Sequence, residues 1–125
     1  MQLLDSNILI YSGEKNFSAY LLPYVRDTSN LVSVISIVET LGYQKITTPQ
    51  IIYFESLFKI LKPIPIDAFI IQKAVQLKQS KKLSLGDALI AATALVMGVD
   101  LITRNTMDFS GISGLNVINP IPHTI

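Results

Sequence analysis

The segment from Leu85 to Met97, LGDALIAATALVM, carries one charge, Asp87, and is otherwise apolar or small on nearly every side. A helix of that composition has no face to offer water, so the chain has to cover it from all round. Its ends are marked. Ser84 and Asp87 have capping-box spacing, and Gly98 follows as a stop. The apolar run from Ala88 to Val99 lies between Asp87 and Asp100 and falls short of the ~20 residues that a membrane span needs. That leaves a central helix inside a folded domain, and 125 residues are enough for one domain with a real core, residues 1–125, but not for two. With 50% hydrophobic and 15% charged residues the chain reads as a compact fold rather than a disordered one, and part of its apolar excess can serve a partner surface.

Around that helix, short apolar strands alternate with helical patterns. Leu3 and Leu4 form a strand closed by Asp5-Ser6-Asn7, which favour turns. Ile8 to Tyr11 opens a short helix or turn, broken at Gly13. Phe17, Tyr20, Leu21 and Tyr24 recur at helical spacing, and Asp27 to Asn30 is a polar break. Leu31 to Ile35 reads as a buried strand, and Ser36 with Glu39 as the capping box of a helix running to about Lys45. Thr48-Pro49 reads as a cap and first-turn proline for a helix carrying Ile52, Phe54, Glu55 and Phe58. Ile60 to Ile66, with its prolines, reads as an edge strand or an extended linker. Asp67 caps a helix expected to turn Phe69, Ile70, Ala74, Val75 and Leu77 to the core, ended by KQSKK. Leu101 to Thr103 and Val117 to Ile118 are the last strands. This alternation predicts an α/β fold of three layers, with a mainly parallel central sheet flanked by helices.

In such sheets ligands gather beyond the C-terminal strand ends. Asp5 closes the first strand and Asp108 follows the Leu101 strand, while Glu39 and Asp87 are expected in helix first turns that face the same edge. Carboxylates gathered at one place repel one another and call for a bound cation. The net charge is +1, from ten basic and nine acidic residues. With these four set aside, ten Lys and Arg stand against five acids, a balance that would suit a polyanionic substrate but on charge alone reads as an ordinary solvated surface. The absence of cysteine excludes disulfides, thiolate zinc sites and cysteine nucleophiles. The single histidine, His123, sits near the chain end and reads as a surface residue, which disfavours histidine acid–base chemistry. No glycine-rich phosphate loop or G-x-S-x-G elbow is present. Asp5 interrupts the N-terminus before an apolar run develops, so no secretory signal is read and a cytoplasmic protein with no membrane partner is expected.

Each residue also has a plainer reading. Asp5 can be a turn residue, Glu39 and Asp87 can complete capping boxes with Ser36 and Ser84, and Asp108 can cap a turn before Gly111. Capping, however, does not require four acids at one sheet edge. Ser6 and Asn7 can bond the turn or orient the Asp5 carboxylate. Thr103 and Asn105 can hold the last loop or line a site, and Arg104 can contact phosphate or lie in solvent. Lys78, Lys81 and Lys82 read more simply as a solvated helix end, and the helically spaced aromatics as core or interface.

The segments LLDSNILIY, SVISIVETLGY, LSLGDALIAATALVMGVDLITRNTMDFSGI and NVINP, in that order from Gln2 to Pro120, resemble the PIN-domain nucleases, and among them the VapC-type toxins of toxin–antitoxin pairs. The resemblance implies a metal-dependent endoribonuclease using Mg²⁺, with Mn²⁺ able to substitute, in which the metal generates the nucleophile from water. The family's first three acids match Asp5, Glu39 and Asp87. Many relatives carry an aspartate where this chain has Asn105, so the fourth position is shared between Asn105 and Asp108. By the same resemblance Asp5 and Asp87 are primary ligands, and Glu39 and Asp108 bind directly or through water. Ser6, Asn7, Thr103, Arg104 and Asn105 stand behind the ligands or on the substrate side. The implied partners are RNA, a VapB-like antitoxin with a basic side chain near the acids, and a second copy in a homodimer. Two other readings stay open: a PIN-domain nuclease of RNA maturation or quality control, and a non-catalytic α/β binding module.

Overall fold

The computed structural model describes residues 1–122; His123 lies outside them. Strand β1 (Leu3–Leu4) leads into α1 (Ser6–Ser12) and α2 (Ser18–Val25), followed by α3 (Ile35–Leu41), α4 (Thr48–Leu61), α5 (Ala68–Ser80) and α6 (Leu85–Met97). Strand β2 (Leu101–Ile102), a 3-10 turn (Thr106–Phe109) and β3 (Val117–Ile118) complete the order. The three strands pair in parallel in the order β1-β2-β3, with Leu3 opposite Leu101 and Leu4 opposite Ile102.

Strand side chains alternate between faces, so each two-residue strand feeds two cores. Leu3 and Leu101 point into one, with Ile70, Ala74 and Leu77 of α5, Ala88 to Ala92 and Ala94 of α6, and Phe109. Leu4 and Ile102 point into the other, with Ile8 and Leu9 of α1, Leu21 and Val25 of α2, and Phe54, Leu57 and Leu61 of α4. The expected α/β architecture, helices on both faces of a parallel sheet, is therefore observed. Helix α6 is buried without interruption from Ala88 to Ala94, and its one hydroxyl there, Thr93, is satisfied by the Leu89 carbonyl at 2.7 Å. Gly98 closes it in the left-handed conformation, φ 68°, which a side chain would strain. Among the described residues no helix is long and apolar enough to cross a membrane.

Several expectations need correction. Leu31 to Ile35 is not a strand: Leu31 bridges Leu3, Ser33 bridges Ile64, and α3 begins at Ile35. The segment changes partner after one residue pair, so no ladder builds. Ser36 does not cap α3, whose N-cap is Val34 with no side-chain cap, and the helix ends at Leu41 rather than near Lys45. The cap of α4 is Thr47, one residue earlier than expected, in a full capping box with Gln50. That helix also runs through Ile60 to Leu61, leaving Ile64 as the one extended contact of the proline segment. In α5, Asp67 caps as expected, by accepting from the Ile70 N–H at 2.9 Å. Ile70, Ala74 and Leu77 are buried, but Phe69 and Val75 face outward, because the buried stripe follows the three- and four-residue spacing and those two fall off it.

That last difference is measurable. Ile70 is 2% exposed and Phe69 71% exposed. In urea unfolding, Ile70→Ala is expected to cost about 2–5 kcal/mol. Phe69→Ala, one residue away, is expected to stay within about 0.5 kcal/mol of the parent when both are measured as monomers.

Candidate acidic site

Asp5 is the residue that leaves β1 and caps α1. Its own N–H donates to the Ile102 carbonyl at 2.9 Å, so it sits directly beside the end of β2. Thr103 N–H donates to the Ile118 carbonyl at 3.0 Å, which extends the same edge to β3. The Asp5 carboxylate accepts from Ser6 N–H at 2.7 Å, from the Thr103 hydroxyl at 2.8 Å and from the Asn7 amide at 3.3 Å. The Asn7 amide also donates to Thr103 Oγ1 at 3.1 Å, while Asn7 Oδ1 accepts from Arg104 N–H at 3.2 Å. Asn105 N–H donates to Thr103 Oγ1 at 3.1 Å. The Asp5-Ser6-Asn7 and Thr103-Arg104-Asn105 segments therefore form one clasp, and Asn7 and Thr103 orient the carboxylate rather than merely closing turns.

Ser6 reaches a different acid. Its hydroxyl donates to Glu39 Oε1 at 2.7 Å and shares a 2.8 Å bond with the Ser36 hydroxyl. A serine has one proton to give, so with Glu39 as acceptor Ser36 is the donor to Ser6. Glu39 thus lies beyond the first turn of α3 and caps nothing, contrary to the expectation from its spacing to Ser36. Its other carboxylate oxygen lies against Gly86, where a Cβ would come within 2.8 Å of Oε2. Gly86 precedes Asp87 in the first turn of α6, so its bare backbone lets α3 deliver Glu39 beside Asp87. Asp87 itself does cap-related work: its N–H donates to Ser84 Oγ at 3.1 Å.

Asp5 is 7% exposed, and its carboxyl is pushed up to about 6. Burial is the largest cause, opposed by the bonds from Thr103 and Ser6 and reinforced by the charges of Asp87 and Glu39. The Asp87 carboxyl is also raised, first by burial, against the Ser84 hydroxyl, then by Asp108 and Glu39. All four acids are thereby linked through mutual repulsion, and no lysine or arginine contributes to either shift. Asp108, on the 3-10 turn, shares with Asp87, Lys81, Lys82, Leu83, Ser84 and Met107 the walls of a cavity of about 510 Å³. Asn105 bonds Thr103 instead, on the Asp5 side.

Among the described residues no three acidic side chains close around a single point as a finished metal cage. The donor set nevertheless fits a hard divalent cation: every group is oxygen, the charges are uncompensated from within, and Mg²⁺ needs only one or two carboxylates while keeping waters. Three features had no reading in the sequence. Gly86 makes room for Glu39, Ser36 backs the Ser6–Glu39 bond, and Arg104 stacks on Tyr11 and Phe17, its guanidinium carbon 4.6 Å and 4.5 Å from the ring centroids. A glycine in a helix first turn was the one available signal, since it costs about 1 kcal/mol against alanine without a packing reason.

Comparison with known proteins gives a consistent result. No curated protein matches the sequence. A toxin–antitoxin complex from Klebsiella pneumoniae contains a chain 34% identical, with TM-score 0.73, over 97% of this chain and 98% of that one. DNA-bound VapBC from Salmonella typhimurium matches at TM-score 0.81 and 20% identity, over 97% and 100% of the two chains. VapBC-1 from nontypeable Haemophilus influenzae matches at 0.74 and 22%, over 95% and 97%. These last two speak for the fold. The PIN domain family matches residues 3–115, nearly the whole chain. The chain belongs to the PIN-domain family, whose members are nucleases.

Proposed function

We propose that this protein is a metal-dependent endoribonuclease and the toxin of a VapBC-type pair. The observation that carries the reading is the buried Asp5 carboxylate, held by neutral donors and flanked by Asp87 and Glu39 with no counter-charge. The Klebsiella pneumoniae toxin–antitoxin relative supports the toxin role. The alternative of a binding module whose acids only cap helices is weakened by Glu39, which caps nothing. The proposal covers one domain, residues 1–125, acting on RNA in the cytoplasm.

In this reading Asp5 and Asp87 are the main ligands of Mg²⁺ or Mn²⁺, with Glu39 and Asp108 binding directly or through water. Such an ion, when bound, makes water a better nucleophile and stabilises charge on the leaving oxygen. The chain's own contribution is positioning. Thr103 and Asn7 fix one Asp5 oxygen, Ser6 N–H fixes the other, and the Ser6 hydroxyl with Gly86 fixes Glu39. Asp108 is the better candidate than Asn105 for the fourth position, because its charge acts on Asp87 and it shares a cavity wall with it. A groove lined by Ile10, Glu39, Thr40, Tyr43, Ile46 and Phe54 supports an antitoxin segment whose basic side chain meets the acids. Exposed Phe69, Ile71 and Val75 on α5 support a second copy docking there.

Purified protein is expected to cleave RNA with Mg²⁺ or Mn²⁺ and to stop with EDTA, and Asp5→Asn and Asp87→Asn are each expected to abolish cleavage in a folded protein. An Asp87→Asn variant that unfolds, together with no effect of metal, would overturn the reading. Gly86→Ala tests the Glu39 contact separately. The clashing atom is the end of a flexible side chain, so circular dichroism melting should show a change of no more than about 1 kcal/mol. Metal affinity and cleavage should fall, because Glu39 has to move away from Asp87.

The sign of the Asp5 shift gives a pH dependence. The folded metal-free protein holds the Asp5 proton up to about pH 6, against 3.8 ordinarily. Stability is therefore fully present below about pH 4 and is lost as pH rises through about 6. Asp5→Asn is expected to raise the metal-free Tm at about pH 8, with an upper bound of about 3 kcal/mol, and to leave it nearly unchanged at about pH 4. An unchanged Tm at the higher pH would remove the uncompensated charge from the account.

A further inference from the structure

Arg104 stands at the edge of the acidic site in an unusual setting. Its guanidinium lies over Tyr11 from α1 and over Phe17 at the start of α2, two rings 5.2 Å apart and inclined at 69° that form a corner around it. Among the described residues its hydrogen bond comes from the backbone N–H, to Asn7 Oδ1 at 3.2 Å. The ring faces hold the planar group, and among the described residues its five N–H donors meet no protein acceptor. The backbone tether runs from Arg104 to Asn7 and from Asn7 to Asp5 and Thr103, so the arginine is fixed relative to the site. All three side chains are half-buried, so the corner lies at the surface rather than in the core.

From this geometry we infer, resting on the ribonuclease reading, that Arg104 is a phosphate clamp that seats the RNA backbone beside the acidic cluster. A planar fork held in advance matches a phosphodiester's two free oxygens and loses little freedom on binding. Lys82 and Lys81, whose ammonium donates to the Ser110 carbonyl, line the cavity that also holds Asp87 and Asp108. The clamp takes a phosphate away from the bond being cut, so its contact is the same before and during the reaction and acts on substrate binding rather than on the chemical step.

The test is steady-state cleavage of a fluorophore-quencher single-stranded RNA with Mn²⁺ at several salt concentrations, on the parent, Arg104→Gln, Arg104→Lys and the Tyr11→Leu/Phe17→Leu pair. For Arg104→Gln, KM is expected to rise about 10- to 100-fold, the worth of one charge-assisted contact, with kcat within about threefold. The slope of log KM against log salt should become shallower by about 0.7, one phosphate on a single strand. Arg104→Lys should keep the parent's salt slope but regain only part of the affinity, since an ammonium lacks the fork. The ring pair, which keeps the charge and loses the corner, should behave like Arg104→Lys. A structural role alone would lower the Tm without moving the salt slope. If the parent cleaves and Arg104→Gln or Arg104→Lys shows the parent's KM and slope, the clamp is overturned while the nuclease reading stands. That outcome also fits an arginine reserved for a protein partner's carboxylate. A parent that cleaves no RNA overturns the ribonuclease reading, and the clamp with it.

Discussion

The structure depends on keeping one carboxylate out of water without giving it a counter-ion. Burying a charge costs several kcal/mol unless hydrogen bonds replace its hydration. Asp5 receives those bonds from a backbone N–H, a hydroxyl and an amide, all neutral. Neutral donors tolerate the anion without cancelling it, so its field is still available to a cation. A lysine or arginine in the same place would have neutralised that field and closed the site to a cation.

The supporting architecture follows from that requirement. Asp5 and Thr103 can meet only because β1 and β2 are adjacent and parallel in matched register. Strands of two residues hold that register poorly by hydrogen bonds alone. It is held by packing, since Leu3 and Leu101 are locked into one core and Leu4 and Ile102 into the other. A slip of one residue would exchange the faces. Helix α6 fills one core from Ala88 to Ala94 and carries Gly86 and Asp87 at its open end, so a core-forming helix also delivers an acid. The glycine is a local loss of helix stability, offset by the space it gives to Glu39.

What could be read from the sequence divides along the range of the interactions. Helix α6 was bounded correctly at both ends, because Ser84, Asp87 and Gly98 act within a turn. The strand–helix alternation and the position of Asp5 at a strand end were likewise local signals. The capping box expected of Ser36 and Glu39 fails for the same reason: a serine three residues before the acid mimics one, while the real partner of Glu39, Ser6, is 33 residues away. Leu31 to Ile35 had strand composition but switches partners. Phe69 and Val75 are apolar side chains on the outer face of α5, and nothing in one sequence distinguishes a core residue from one left for a partner. The Arg104 stack joins side chains from opposite ends of the chain and leaves no local trace.

The Thr103–Asp5 bond joins residues 98 apart in sequence. Chains are made from the N-terminus and ordered contacts wait for both partners. A growing chain that has passed Asp5, Glu39 and even Asp87 still lacks the strand that sets β1 in place and the hydroxyl that aims its carboxylate. The clasp around Asp5 is therefore incomplete until β2 has been made and pairs with β1. For a member of a nuclease family, the order of synthesis therefore acts as a delay on the acidic centre, written into the topology.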